Sequence, residues 1–477
     1  MRHFFGVDDR AWRAGQAVVP AIMDTAQLIN GHMLIAGMSG TGKSYQVMRY
    51  LDSAHRQGVE VDVFDVHEEL HEVSGAVACK FSEATQLGYN PLVPSLDPHS
   101  GGIRRQIEAV VDVINRTSRK LGPRQESALK HLLSEVYTLR GMYPDNPASW
   151  DKRLITESEF DEIIERRDYQ ALRQCQPILR DVISYAERKL KALTFGSDSR
   201  AVSALERVEK TTAKIHSLRS RRGKAVTEEE LARLEKQLEE EKASAIEAYA
   251  EYVGAMETGR EYSEASRYTN AETIKSLLER LQELQDGGIF RSNPPEWRLN
   301  AAQGTLRVHQ IGSLRDDERK LLFYMRCEAI LRRSMDAGKT DRLRHVIFAD
   351  EGHLYYSEDA ENPINRIAKE GRKFGLAMVI GSQSPTHFSE DFLTNCGTIV
   401  LCGINSTYWE MATRKLRCDR EVLASTRARE VAAIKFQRLG EPEPRFAPVN
   451  VNQAVVNQAV ASLRAQQAMR GAATAAA

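Results

Sequence analysis

The chain has 477 residues, and its 66 lysines and arginines balance 66 aspartates and glutamates. This length allows two or three domains with ample core, while zero net charge excludes a basic field over the whole molecule, so any contact with nucleic acid must be local. The six cysteines form no Cys-x-x-Cys pair, and no apolar run approaches the roughly 18 residues that span a bilayer, so we expect a cytoplasmic protein without a transmembrane segment.

Residues 1–31 form a short lead-in to a glycine-rich loop, Gly37-Met-Ser-Gly-Thr-Gly-Lys43-Ser44. An apolar run precedes the loop and a helical pattern follows it, which is the context of a phosphate-binding P-loop. Glycine lets the backbone wrap closely around phosphates, and the loop N–H groups with the helix N-terminus attract negative charge. Lys43 would reach the β- and γ-phosphates and Ser44 would bind Mg²⁺. The candidate nucleotide-binding residues are Gly37, Ser39, Gly40, Thr41, Gly42, Lys43, Ser44 and Tyr45, with ATP and Mg²⁺ as the expected ligands.

A buried strand is predicted over residues 59–66, ending at Asp65. The next residues, His67-Glu68-Glu-Leu-His71, match the His-Glu-x-x-His motif of zinc proteases. That motif requires a helix, on which two histidines share one face, and a third ligand. Because the histidines directly follow a strand here, we consider a zinc site improbable.

From about residue 103 to residue 287 the sequence shows helical periodicity and almost no strand signal. Thr227-Glu-Glu-Glu230 forms a capping box that opens one helix. The basic segment Arg219–Lys224 lies just before it, which favours an antiparallel helical hairpin. Charged helix faces are usually only solvated, so this basic segment does not identify a DNA contact.

Strand patterns return at residues 305–311, 345–350, 376–381, 398–402 and 431–436. The second of them is apolar and delivers two carboxylates, Asp350 and Glu351, at its C-terminal end. The first carboxylate can fix the shell of Mg²⁺, and the second can orient and deprotonate an attacking water. The other interpretation, a buried strand before a solvated acidic turn, is disfavoured by the P-loop upstream. We therefore predict Ser44 and Asp350 as metal ligands and Glu351 as the general base.

Two further candidates flank the next strand. Gln383 follows its C-terminal end, where a polar side chain can sense the γ-phosphate. Arg372 and Lys373 precede it, within Gly-Arg-Lys-Phe-Gly, and are candidates for an arginine finger that acts on a neighbouring subunit. A solvated helix end is the alternative for these two cations.

Strands that alternate with helices predict an α/β fold, a mostly parallel sheet with helices on both faces, interrupted by an all-α insertion. We predict two sheet-forming halves, 1–102 with the P-loop and 291–448 with Asp350 and Gln383. The helical insertion spans 103–290. The tail, 449–477, is either a docking helix or frayed.

Several stretches occur in the order found in the FtsK/HerA superfamily of ring-forming DNA and protein pumps: HMLIAGMSGTGKS, FDVHEEL, LGYNPLVP, VIFADEGHL, EGRKFGLAMVIGSQSP and FLTNCGTIVLCG. They cover residues 31–100 and 300–440 and most resemble HerA-like helicases and type IV secretion ATPases. The family's Asp-x-His-Gly-Glu reads Asp65-Val-His67-Glu68-Glu69 here. The resemblance implies a RecA-like fold and a hexameric ring with sites at subunit boundaries. It also implies a Walker B pair at Asp350 and Glu351, a sensor at Gln383 and a finger at Arg372.

The leading hypothesis is a cytoplasmic ATPase that translocates DNA through a ring, with DNA and a nuclease or secretion-machine protein as partners. The first alternative is a type IV secretion or conjugation ATPase that moves protein or pilus subunits. The second is a nucleotide-gated assembly scaffold, which the intact Asp350–Glu351 pair disfavours because a pure switch needs no base.

Overall fold

The computed structural model describes residues 1–99, 101–117, 119–195, 199–222, 228–255, 271–295 and 306–475. Thr227 of the predicted capping box, Gly223 and Lys224 of the basic segment, and residue 305 at the start of a predicted strand lie outside these ranges. The chain divides into two compact units. The first combines Met1–Tyr89 with the residues from Asn293 onward, and the second is Asn90–Ser292.

A single sheet, with eleven strands in the described residues, organises the first unit. In chain order the strands are β1 (Arg2–Asp8), β2 (Pro20–Asp24), β3 (Met33–Ala36), β4 (Glu60–Asp65), β5 (Val77–Lys80), β6 (Leu306–Gln310), β7 (Thr340–Ala349), β8 (Phe374–Ser382), β9 (Thr398–Leu401), β10 (Val431–Phe436) and β11 (Ala447–Asn450). Their lateral order is β2-β1-β11-β10-β9-β3-β8-β7-β4-β6-β5. All pairs from β9 to β5 are parallel, whereas the pairs from β2 to β9 are antiparallel. The predicted mostly parallel sheet is confirmed.

The antiparallel edge contains strands that the sequence did not indicate. The lead-in supplies β1 and β2, and β11 follows the last predicted strand. These strands are short or irregularly buried, and β2 has only two buried residues at its end. Their apolar spacing is therefore too weak to separate them from loops, and β1 is held in place by pairing with β11, which lies at the far end of the chain.

In chain order the α-helices are α1 (Asp9–Arg13), α2 (Lys43–Arg56), α3 (Ile103–Thr117), α4 (Pro123–Leu139), α5 (Glu157–Glu165), α6 (Tyr169–Arg173), α7 (Leu179–Phe195), α8 (Ser199–Arg222), α9 (Glu228–Ala255), α10 (Ala271–Asp286), α11 (Asp316–Asp336), α12 (Pro363–Glu370), α13 (Glu390–Thr394), α14 (Trp409–Leu416), α15 (Arg420–Ala424) and α16 (Gln453–Ala475). Within the described ranges, none of them combines the length and the apolar character needed to cross a bilayer.

The second unit contains α3 to α10, and its described residues form no strand beyond two isolated bridges, Tyr143 with Asn146 and Arg153 with Cys175. The predicted all-α insertion is thus confirmed. Helices α8 and α9 are antiparallel, since an ion pair joins Arg207 near the start of α8 to Glu251 near the end of α9.

By its internal contacts the helical unit begins at Asn90, whereas the boundary predicted from the sequence is residue 103. Two hydrogen bonds explain the difference. Asn90 Nδ2 donates to the Pro177 carbonyl at 2.8 Å, and Tyr137 Oη donates to the Leu92 carbonyl at 2.7 Å. The turn-rich stretch before α3 is therefore fixed to the helices that follow it in the chain.

The tail begins as a docked helix. Val456 and Ala459 of α16 are buried, and the helix packs against β1. Of the two alternatives for this segment, the docking helix is the one that its first turns follow.

A buried ion network lies across β4, β6 and β7. Asp62 Oδ2 is 2.8 Å from His345 Nε2 and 2.7 Å from Arg307 Nη2, and Oδ1 is 3.4 Å from Arg326 Nη2. Burial opposes ionisation of Asp62, but the hydrogen bond from His345 and the charges of the two arginines outweigh it and hold its pKa well below the usual range. Asp62 is therefore a carboxylate that compensates two cations in the core.

We expect Asp62→Asn to lower the free energy of unfolding by about 3–5 kcal/mol, because it leaves buried arginines without a counter-charge. Urea unfolding at neutral pH measures this. Since the folded-state pKa is depressed, the contribution is present above the unfolded value of about 3.9 and is lost as pH falls through and below it. Asp52→Asn, which breaks a partly exposed pair with Arg56, is the matched control and should cost at most about 1 kcal/mol. Equal losses for the two variants would contradict the prediction.

Candidate functional site

Four neighbouring parallel strands, β3, β8, β7 and β4, end at one edge of the sheet. Ala36 lies opposite Ser382, and Ala349 lies opposite both Ile380 and Phe64. The glycine-rich loop follows β3, the pair Asp350 and Glu351 follows β7, and Gln383 follows β8. The fourth strand, β4, ends at Asp65. Ligands of open α/β sheets bind at this carboxyl edge.

The glycine-rich loop connects β3 to α2 in the backbone conformation that its glycines permit. Gly40 and Gly42 have φ of 78° and 99°, in the region that side chains with a Cβ rarely adopt. A Cβ on Gly37 would lie 2.6 Å from Thr41 Oγ1. Helix α2 starts at Lys43, so its first N–H groups lack partners within the helix and face the loop as an anion site.

The loop is also fixed from outside. Met38 N donates to the Gly403 carbonyl at 2.9 Å, and Arg429 N donates to the Thr41 carbonyl at 3.0 Å. Arg429 Nε donates to the Gly40 carbonyl at 3.2 Å. The chain after β9 and the turn before β10 therefore hold the phosphate loop in place.

Lys43 and Glu351 form an ion pair at the centre of the site. Lys43 Nζ is 2.9 Å from Glu351 Oε1, and the side chains are only 11% and 7% exposed. His67 Nε2 lies 3.6 Å from Oε1, and His353 Nδ1 lies 3.2 Å from Oε2. Burial alone would raise the pKa of Glu351, but the contacts with His353 and Lys43 outweigh it and lower that pKa to about 2. Glu351 is a carboxylate at neutral pH.

Asp350 precedes Glu351 and behaves differently. Its backbone N–H donates to the Phe64 carbonyl at 3.0 Å, and burial raises its pKa to about 6, against the opposing charge of Lys43. Asp350 lines one cleft with Lys43 and Ser44. A hydroxyl and a carboxylate are oxygen donors that Mg²⁺ prefers, and a cation here would favour the charged carboxylate. The predicted metal ligands are therefore brought together and fit the ion.

The other predicted residues lie at opposite ends of the parallel strands, Arg372 at the amino ends and the rest at the carboxyl ends. Gln383 directly follows β8 and is exposed, next to Ser382, whose carbonyl accepts the Gly37 N–H at 3.0 Å. Ser39 and Tyr45 are also exposed on and after the loop. Arg372 lies in a short 3₁₀ helix before β8. Because the nine residues of β8 span roughly 30 Å, the structure does not bring Arg372 to the site of its own chain.

The loop after β4 carries the stretch in which Glu68 replaces the glycine of the family pattern. Asp65 Oδ1 and Oδ2 accept the backbone N–H groups of Glu68 and Leu70 at 2.9 and 2.8 Å, and burial raises its pKa. Glu68, where the family has glycine, has φ of 59°. The position keeps the left-handed backbone that favours glycine, although the residue has changed.

The same loop separates the two histidines of the zinc-like motif. His67 lies in the turn after β4, and His71 lies in a 3₁₀ helix, Leu70–Glu72. The two histidines therefore do not lie one turn apart on an α-helix, which is the arrangement that the zinc motif requires.

Several residues of this site are not among those predicted from the sequence. His353 is part of the stretch after Glu351 and could have been found there as a polar residue near the proposed base. His67 belongs to the family pattern Asp-x-His-Gly-Glu and to the zinc-like motif, but neither pattern predicts its place beside Glu351. His387 and Arg429 lie far from Glu351 in the sequence, and no motif marks them. The ring centroid of His387 is 4.7 Å from that of His353.

This fold and this site are those of a P-loop protein of the RecA-like type. The chain belongs to the family described as "Helicase HerA, central domain", whose sequence model matches residues 13–330. Over 63 residues it is 33% identical to the DNA double-strand break repair helicase HerA of Pyrococcus furiosus, a match that covers 12% of this chain and 11% of that relative. The chain thus aligns with about a tenth of that relative's length.

Solved structures are similar to this chain. VirB4 of Thermoanaerobacter pseudethanolicus superposes with a TM-score of 0.57 and 15% identity, over 95% of this chain and 97% of that one. The unbound bacterial conjugative coupling protein TrwB superposes with a TM-score of 0.46 and 10% identity, over 90% of each chain. The VirB4 match supports the RecA-like fold, and the predicted membership of the FtsK/HerA superfamily is confirmed.

We predict that Glu68→Gly leaves the free energy of unfolding unchanged or raises it by up to about 1 kcal/mol, since glycine adopts a positive φ without strain. The matched control is Glu69→Gly, because Glu69 has an ordinary φ of −100°. There glycine should cost about 0.5–1 kcal/mol through its greater freedom in the unfolded chain. Thermal unfolding compares the two, and a larger loss for Glu68→Gly would be inconsistent with strain at this position.

Proposed function

We propose that this chain hydrolyses ATP and couples hydrolysis to the translocation of DNA through a ring of identical subunits, a hexamer, in the cytoplasm. The observation that carries the proposal is the 2.9 Å contact between Lys43 and Glu351. It places the cation of a phosphate-binding loop and a carboxylate suited to activating water at one point. Membership of the HerA family supports DNA as the translocated substrate.

In this proposal the loop N–H groups and Lys43 bind the β- and γ-phosphates. Ser44 and Asp350 would hold Mg²⁺, which neutralises charge on the phosphate oxygens. Phosphate oxygens compete with Glu351 for Lys43, and transfer of Lys43 to them releases Glu351 Oε1. That oxygen can then accept a proton from the attacking water.

The remaining roles follow from position. Gln383 stands at the carboxyl edge of β8, beside the P-loop strand, where a side chain can respond to the γ-phosphate. Arg372 stands at the opposite edge and is exposed. An arginine there can reach phosphates only on another subunit, which supports a ring with shared sites.

A type IV secretion or conjugation ATPase is the second candidate. The similarity to VirB4 along 95% of this chain favours it, and its cargo would be protein or pilus subunits. A nuclease would be the expected partner of a DNA pump, and a secretion-machine protein that of a secretion ATPase. A nucleotide-gated scaffold is disfavoured, because Glu351 is a carboxylate beside the P-loop lysine and a pure switch needs no such group.

The rate of ATP hydrolysis with double-stranded DNA, with single-stranded DNA and without DNA tests the proposal. We expect DNA to stimulate hydrolysis. Lys43→Ala should abolish nucleotide binding, whereas Glu351→Gln should keep binding and lose about 10²–10⁴-fold in rate, the usual contribution of a general base. Hydrolysis that DNA never stimulates would favour the secretion ATPase. Nucleotide binding with no hydrolysis by the unmodified chain would favour the scaffold, and near-normal turnover by Glu351→Gln would place the base elsewhere.

Mixed subunits test the shared site. Arg372→Ala should lower the rate by about 10³–10⁵-fold, as for arginine fingers in other phosphoryl-transfer enzymes. Mixing it with Lys43→Ala creates boundaries that pair an intact P-loop with an intact Arg372, so part of the activity should return. Lys373→Ala serves as the neighbouring comparison. If mass measurement shows mixed rings but no mixture exceeds either variant, Arg372 does not act across the boundary. A monomer at every concentration, with nucleotide and DNA, would exclude the ring.

A further inference from the structure

The two carboxylate oxygens of Glu351 face different partners. Oε1 is the oxygen paired with Lys43, and Oε2 is 3.2 Å from His353 Nδ1. In the described part of the chain, neither Oε2 nor Nδ1 makes a hydrogen bond of ordinary geometry, although both are buried. Buried polar atoms without such a bond are costly, and the 3.2 Å separation of this pair is within hydrogen-bond distance. Contacts of this kind in active sites often tighten only when the substrate is bound.

His353 is itself supported from the neighbouring strand. Its ring packs against His387 with centroids 4.7 Å apart and planes inclined by 44°. His387 Nδ1 is 3.1 Å from Ser382 Oγ, and Ser382 is the last residue of β8 and precedes Gln383. A continuous set of side chains therefore connects the base at the end of β7 with the end of the strand that carries the sensor.

The backbone at Glu351 is strained, so the position of its carboxylate depends on contacts of this kind. Glu351 has φ of 46°, a left-handed conformation that side chains other than glycine, asparagine and aspartate rarely adopt. Once Lys43 moves to a phosphate, Oε1 loses its 2.9 Å contact and keeps His67 Nε2 at 3.6 Å, beyond hydrogen-bond distance, so the carboxylate can rotate unless its other oxygen is held. The group in position to hold it is His353.

We propose that His353 is a positioning residue for Glu351, which holds Oε2 while Oε1 is free for the attacking water, and that His387 and Ser382 fix the ring of His353. This inference rests on the proposed role of Glu351 in ATP hydrolysis. It assigns His353 no contact with nucleotide and no proton transfer. His353 then affects the rate of turnover and leaves the affinity for nucleotide unchanged.

Three substitutions, His353→Asn, His353→Gln and His353→Ala, separate this role from packing. The side-chain amide nitrogen introduced by His353→Asn would correspond to Nδ1, whereas the one introduced by His353→Gln would correspond to Nε2. We expect His353→Ala to lower kcat about 10–100-fold, the size expected for one hydrogen bond to a charged group. His353→Asn should recover most of the rate and His353→Gln should not. The affinity for a fluorescent ATP analogue, measured without turnover, should stay within about threefold in all three.

Combined variants complete the test. In the Glu351→Gln background, His353→Ala should cause no further loss of rate, and His387→Ala should add nothing to His353→Ala, because residues that act as one unit are not additive. Equal defects in the three His353 variants, or a loss of analogue affinity as large as the loss of kcat, would overturn the proposal. If the unmodified protein hydrolyses ATP and Glu351→Gln does not, the proposed role of Glu351 stands and these variants judge His353 alone. An inactive unmodified protein would overturn both.

Discussion

The ion pair between Lys43 and Glu351 joins residues that are 308 positions apart in the chain, and the carboxyl edge of the sheet is organised around it. Burying two charges is expensive, and each compensates the other only while the geometry is kept. The strand order supplies that geometry, since β8 lies between the strands that deliver the two residues. A phosphate group could replace Glu351 as the partner of Lys43 and at the same time accept hydrogen bonds from the loop N–H groups.

Two residues that follow the parallel strands β4 and β7 have strained backbones. Glu351 and Glu68 have φ of 46° and 59°, which costs on the order of 1–3 kcal/mol each for residues other than glycine. Both follow closely on buried strands of the parallel sheet, so the core fixes the conformation that the local sequence disfavours. At Glu351 the left-handed backbone directs the carboxylate toward the P-loop. At Glu68 it preserves the turn in which Asp65 accepts two backbone N–H groups, although the glycine of the family pattern is absent.

The features that could be predicted from the sequence are those that local pattern determines. The P-loop is contiguous, and the strand before Asp350 ends in four apolar residues, Val346 to Ala349, so both could be placed without the fold. The strands β1, β2 and β11 could not, because their pairing joins the two ends of the chain and their apolar spacing is irregular. The contacts of His387 and Arg429 also depend on tertiary structure, since each comes from a loop whose composition is ordinary. Arg372 could be identified from its motif, but its distance from its own P-loop could not.

That distance bears on how the site is completed. Phosphoryl transfer places charge on the γ-phosphate oxygens, and Lys43 and a bound Mg²⁺ neutralise part of it. Arg429 contacts the P-loop of its own chain, but its guanidinium donates to the Gly40 carbonyl, on which the shape of the loop depends. Moving that guanidinium to a phosphate would break one of the hydrogen bonds that hold the loop from outside. An arginine from another subunit would not have to support the loop in this way. In the proposed ring, Arg372 is exposed at the amino ends of the same strands, where it could contact the phosphates of a neighbouring subunit. In the proposed ring, Arg429 would support the loop while Arg372 of a neighbouring subunit would contact the phosphates, which is a physical argument for the shared site proposed above.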